Sequence, residues 1–164
     1  LPSNGSSSWM SGSSTRIRAA VHRGHLRVAR ELLGRPFSIL GTVVRGRRFG
    51  RHLGFPTANL DSHNEVIPPE GVYAVWALCH GQFHRGVLNI GFQPTFRRPQ
   101  PVRPVIELHV LDVRKMLYGC DVEVFFVKRL RSERRFSSVA TLARQIRADV
   151  DRARRVLASA RGQQ

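Results

Sequence analysis

The chain has 164 residues, 41% of them hydrophobic, which suits one domain with tails and a sizeable core. No run of about 18 apolar residues occurs, which excludes a transmembrane helix, and the Ser/Gly-rich start lacks the charged and apolar regions of a signal peptide. The net charge of +16 is carried almost wholly by arginine, Lys115 and Lys128 being the two lysines, and it predicts attraction to polyanions and anionic nucleotides.

Residues 1–13 are expected to be disordered, since Trp9 and Met10 alone cannot build a core. A helix is predicted over roughly 15–33, capped by Ser13, Ser14 or Thr15, with Ile17, Val21, Val28 and Leu32 as its apolar positions. Gly34 ends it and Pro36 enforces the stop. Within it, His22-Arg23-Gly24-His25 spells a nucleotidyltransferase-like H-x-G-H, but no strand precedes it, so a helix–turn–helix break is the expected reading.

From Phe37 to Val127 the pattern is β. Phe37–Val44 and Gly71–Leu78 are strand candidates, and Gly81 turns the second back into Phe83–Ile90 as a hairpin, with His80 and His84 as surface residues. In the strand at 106–110, Ile106, Leu108 and Val110 share one face, while Glu107 and His109 share the other. Asp121–Val127 is a further strand, rich in β-branched and aromatic residues. Several short strands joined by Gly/Pro turns predict a closed barrel or a sandwich. A last helix, capped by Ser137 or Ser138, carries Val139, Leu142, Ile146, Val150, Ala153 and Leu157 as one apolar stripe. Cys79 and Cys120 are the two thiols, for which a reducing, cytoplasmic compartment and no metal site are expected.

The chemistry is narrowed first by what this stretch lacks. It has no G-x-x-x-x-G-K-[ST], no G-x-G-x-x-G and no H-E-x-x-H, so P-loop, protein-kinase and zinc-protease chemistry are not expected. Thr57 and Asn59, in Gly54-Phe55-Pro56-Thr57-Ala58-Asn59-Leu60, lie two apart and point the same way in an extended segment. A hydroxyl and an amide oxygen on one side can hold Mg²⁺ beside a phosphate; the same residues also suit a plain Gly-Pro turn. The loop Arg45–Arg51 ahead of them is either a basic flap over phosphates or a polar loop. Glu107, an acid in an apolar stretch, is either a base for phosphoryl transfer or a rim glutamate paired with an arginine.

The order of these pieces resembles the riboflavin kinase family. The resemblance runs from Gly50–Leu60 through Gly71-Val72-Tyr73-Ala74, Gly86–Gly91, Pro94-Thr95-Phe96, Ile106–His109 and Leu117-Tyr118-Gly119 to Leu130–Glu133 and Phe136. It implies a mainly β fold, a six-stranded antiparallel Greek-key barrel with a C-terminal helix and an N-terminal helical extension. It also implies phosphorylation of the riboflavin 5′-hydroxyl by ATP with Mg²⁺, giving FMN. By that resemblance Thr57 and Asn59 would hold the metal and the ATP phosphates, and Gly46, Gly54 and Pro56 would shape the nucleotide loop. Glu107 would be the base, Asn89 would lie near the site, and Arg131 would border the flavin pocket.

The domain boundaries expected on that footing are a tail at 1–13, a helical linker at 14–36, a kinase domain at 37–158 and a tail at 159–164. The linker resembles the end of the adenylyltransferase module of bifunctional bacterial FAD synthetases, so such a module is an expected partner elsewhere. Two departures from the family pattern are the basic loop 112–119 and the surplus of arginine. They support an alternative, a riboflavin-kinase-like domain turned to binding RNA or a ribonucleoprotein. No membrane partner is expected.

Overall fold

The computed structural model describes residues 8–44, 54–92, 104–112 and 119–160. Six strands, β1 (Ser38–Val44), β2 (Ala58–Ser62), β3 (Gly71–Cys79), β4 (Gln82–Phe92), β5 (Pro104–Val110) and β6 (Asp121–Arg131), close into one barrel. Around it they run β1-β2-β5-β4-β3-β6, every neighbouring pair antiparallel. Among the described residues, closure gives every strand a partner on both sides. Of the two sheet architectures open to the sequence pattern, the barrel is the one formed.

Alternation sorts each strand's residues between two apolar layers. Ile39, Leu60, Tyr73, Leu88, Leu108 and Val124 fill the interior. Tyr73 stands edge-on to Phe126, with ring centroids 5.2 Å apart, and its hydroxyl donates to the Pro69 carbonyl at 2.5 Å. A second layer forms outside, where Val72, Ala74 and Trp76 of β3 meet the last helix, α3 (Val139–Ser159). That double covering is why β3 reads as an unbroken apolar run rather than an alternating one.

Ser138 caps α3: its hydroxyl accepts from the Thr141 N–H at 3.2 Å, and the Thr141 hydroxyl accepts in turn from the Ser138 N–H at 3.2 Å. The stripe predicted for α3 is buried at Val150, Ala153 and Leu157, each large apolar side chain contributing about 1.5–3 kcal/mol. Val139, assigned to the same stripe, is 57% exposed, so the first turn of the helix leaves that position outside the packed face.

The N-terminal region differs from expectation. Helix begins at Ser8, so residues 8–13 are helical rather than disordered, and Ser13–Thr15 lie inside a helix instead of capping it. The single helix expected over 15–33 is two, α1 (Ser8–His22) and α2 (Leu26–Leu33), parted at Gly24 with φ 74°. The H-x-G-H run is therefore the predicted helix–turn–helix break. Gly34 ends α2 in the left-handed region, its N–H bonded to the Arg30 carbonyl at 2.9 Å. Ala20, Val21 and Ala29 bury the pair against Phe37 and Val66, at the entry to β1.

Candidate active site

Strand pairing gathers the polar residues that lie far apart in sequence. Glu107 on β5 stands opposite Asn59 of β2 on one side and Asn89 of β4 on the other. Asn89 faces Val72 of β3, which in turn faces Arg131 of β6. Asn59, Glu107, Asn89, Val72 and Arg131 thus form one row across the outer wall, since Ala58 and Leu60, Ile106 and Leu108, and Leu88 and Ile90 take the inward positions.

Above this row lies a cleft of about 260 Å³. Its floor is Thr57, Val72, Val87, Asn89, Glu107 and His109; Phe55, Arg131, Glu133, Arg134 and Phe136 form its sides. Leu142, Ile146, Asp149 and Val150 of α3 roof it. The apolar walls flank a few convergent polar groups, the usual make-up of a small-molecule site.

Two clamps hold the walls. The ring Nδ1 of His109 lies 2.8 Å from the Pro56 carbonyl. A carbonyl only accepts, so Nδ1 carries the proton. The same ring meets Phe55 edge-on at 5.8 Å, fastening the Phe55–Thr57 approach to β5. On the far side Arg131 donates from Nε to both carboxylate oxygens of Asp149, at 3.1 and 2.9 Å, and from Nη2 to one of them at 2.8 Å. Asp149 is 4% exposed and also accepts from Gln145 Nε2 at 2.9 Å. This bidentate pair ties β6 to α3. Arg131 and Arg134 lie over the Phe136 ring at 5.6 and 5.2 Å, and Arg134 also bonds to the Gln145 side chain.

The carboxylates carry the electrostatic signature of a site. Burial pushes Glu107 above the ordinary carboxylate range, and the negative charge of Glu133 adds to the rise. Glu133 is itself raised by burial and by Glu70, against a hydrogen bond from Asn89 and the charge of Arg131. Gly91 makes room for it: a Cβ there would lie 2.6 Å from both Glu133 carboxylate oxygens. A carboxylate raised toward neutrality is a better proton acceptor than an ordinary one, provided the pH keeps it ionised.

Of the residues singled out from the sequence, Thr57, Asn89, Glu107 and Arg131 line the one cleft. Asn59 stands beside it in the ladder, opposite Glu107. Gly54 precedes the Phe55 wall at φ 80°, a conformation costly for any residue with a Cβ. Pro56 contributes its carbonyl to the His109 clamp. Gly46 lies outside the described residues, as do the whole basic flap Arg45–Arg51 and residues 113–118 of the basic loop. Thr57, Asn59 and Glu107 bring only oxygen donors, a set that fits Mg²⁺. Glu133 and Asp149 were given no role. Glu133 hid among four arginines and a lysine between 128 and 135. Asp149, next to Val150 and three residues from Ile146, was a charge on the buried side of a helix, which is a readable signal.

With this geometry in view, the comparisons with known proteins converge. A family model described as riboflavin kinase matches residues 33–157. The bifunctional riboflavin kinase/FMN adenylyltransferase of Bacillus subtilis (strain 168) is 41% identical over 150 residues, which is 91% of this chain and 48% of that protein. The protein of the same description from Escherichia coli (strain K12) is 44% identical over 138 residues, 84% of this chain and 43% of its own length. Among solved structures, one from Streptococcus pneumoniae described as a macrolide-efflux protein superposes with a TM-score of 0.79 at 35% identity, over 86% of this chain and 46% of that one. The riboflavin kinase of Trypanosoma brucei gives a TM-score of 0.55 at 25% identity, over 74% and 80%. The chain spans about half the length of the curated relatives it matches. Barrel, cleft and sequence match agree, and the chain belongs to the riboflavin kinase family.

Proposed function

We propose that this chain phosphorylates riboflavin. The ribityl 5′-oxygen attacks the γ-phosphorus of ATP, the bond to the β-phosphate oxygen breaks, FMN and ADP form, and Glu107 accepts the hydroxyl proton. The observation that carries this reading is the position of Glu107: half-buried, raised above the usual carboxylate range, and set between two asparagines on the floor of an apolar-walled cleft. Family membership favours it over the RNA-binding alternative.

The roles follow from chemistry. Phe55, Val87, Phe136 and Ile146 offer flat apolar contact to the flavin ring. Thr57 and Asn59 would hold Mg²⁺ with the ATP phosphates, Gly46, Gly54 and Pro56 shaping the loop around them. The metal supplies neutralisation of phosphate charge, the main demand of phosphoryl transfer. Asn89 orients the carboxylate pair, and Arg131 holds the roof over the flavin edge. Residues 37–158 form the kinase domain on this reading, and 14–36 link it to an adenylyltransferase module like the one named in the relatives. A cytoplasmic location, where ATP and reduced thiols are both at hand, is part of the same reading.

The test is FMN formation, read by chromatography after incubating the chain with riboflavin, ATP and Mg²⁺. Glu107→Gln should keep flavin binding and lose about 10²–10⁴-fold in turnover. A folded wild-type chain that makes no FMN overturns the function; a Gln variant within a few-fold of wild type overturns the base.

A further inference from the structure

Seven residues along β3 from Val72, about 23 Å from the cleft floor, the barrel's other end holds a second cluster of side chains. Cys79 closes β3, His80 forms the tip of the β3–β4 hairpin, and Cys120 immediately precedes β6. Their ligand atoms, the two Sγ and a ring nitrogen, all lie within 4.8 Å of one another. We propose that Cys79, His80 and Cys120 form a site for a thiophilic d¹⁰ cation, zinc foremost, that staples the hairpin to the start of β6.

The fold builds this cluster from three directions. Cys79 follows Tyr73, Val75 and Ala77 on the inward side of β3 and is 3% exposed. Cys120 shares the parity of Val122 and Val124 and packs against the same interior. Its carbonyl accepts from the Val43 N–H at 2.9 Å, which fixes its backbone on β1. His80 has φ 49° and Gly81 φ 74°, the paired positive values of a type I′ hairpin turn. Histidine is among the non-glycine residues that tolerate a positive φ, and here the turn brings its imidazole to two thiols. Two neighbouring thiols alone would be ordinary core packing; the third donor makes the set a ligand set.

Size and chemistry fit. Zn–S bonds of about 2.3 Å put tetrahedral ligands about 3.8 Å apart, so contraction of about an ångström or less assembles three sides of a tetrahedron. Two thiolates and a neutral imidazole balance a dication, and soft sulfur selects zinc or Cu(I) over magnesium. Burial and the neighbouring Cys120 hold the Cys79 thiol up, so without metal it is a poor nucleophile; the cation supplies the charge that ionises it. Binding expels both thiol protons, and its affinity must rise with pH. The fourth position, on the exposed side of His80, is left for water.

The experiment is a zinc titration of the full chain, stripped with chelator and kept reduced, with proton release followed in weak buffer. Cobalt is the optical probe, since a thiolate-to-cobalt charge-transfer band reports sulfur ligation directly. One equivalent should bind with release of up to two protons. Cys120→Ser should abolish the charge-transfer pattern of two thiolates. His80→Asn is the control for folding, because Asn tolerates the left-handed turn. It should weaken zinc at least about tenfold, the loss that even an outer-shell change brings, and leave FMN formation untouched. No stoichiometric uptake by the reduced chain, or uptake that neither variant weakens, overturns the site. A Cys79–Cys120 disulfide on oxidation without metal uptake when reduced also overturns it, leaving a redox pair in its place.

Discussion

Glu107 is half-buried and Glu133 more exposed, and the negative charge of Glu133 works against ionisation of Glu107. If Glu107 is the base, it acts only when ionised, so kcat/KM should fall as pH drops through its raised pKa, at a pH above the usual range near about 4.3. Glu133→Gln removes the neighbouring negative charge while leaving the desolvation of Glu107 in place. The acid limb should then move to lower pH without vanishing; an unmoved limb would mean Glu133 does not act on the base. Thr57 lines the cleft, two residues ahead of Asn59 on β2. Thr57→Ala should raise the KM for Mg-ATP several-fold and leave riboflavin binding intact, and an unchanged nucleotide affinity at saturating Mg²⁺ would sink its metal role. Glu107 was legible as a residue because it interrupts an apolar run. Its partner carboxylate was not, because Glu107 lies on β5 and Glu133 in the segment that follows β6, and only the closed barrel brings the two together.

At the scale of elements, α3 is both roof and fastening. Its apolar stripe seals Val72, Ala74 and Trp76, while Arg131–Asp149 fixes its angle over the cleft. Removing one member of a buried ion pair strands the other. Asp149→Ala should therefore cost about 3–5 kcal/mol, read from denaturant midpoints, and should raise the KM for riboflavin more than that for ATP. A loss under about 1 kcal/mol would show that the pair is solvated in solution. Helix α3 was readable from its period and its cap. Strand β2 was not assigned from its residues, and the reason is physical. Its five residues offer two inward apolar side chains, Ala58 and Leu60, too few to mark a strand without β1 and β5 beside it. Conversely, the N-terminal helix starts earlier than its composition suggested, in a Ser/Gly-rich stretch where local preference is weak.

For the whole molecule, the +16 charge shapes attraction more than fold. Several arginines already have internal tasks. Arg85 and Arg154 share Asp112, at 2.7 and 2.8 Å; Arg152 donates to the Leu130 carbonyl at 2.8 Å, and Arg129 to the Glu70 carbonyl. Asp112 itself, at the start of the basic loop, thus pins the end of β5 to β4 and α3. Nucleic acid should bind only through the residual field. Its affinity should fall linearly in log[salt] and vanish by about 0.2 M, with no preference between RNA sequences. A salt-resistant, sequence-selective complex would restore the RNA-binding alternative. Most strand and helix positions, the inward and outward faces of β5 and the cap of α3 were legible in the sequence, because periodicity, capping and turn chemistry act within a few residues. Only the tertiary structure decided that Asn59 and Asn89 flank Glu107, that Glu133 opposes it, that Asp149 holds Arg131 and that two cysteines meet a histidine. Those neighbours depend on barrel closure in the order β1-β2-β5-β4-β3-β6, and a register set by long-range pairing leaves no trace in any local window of sequence.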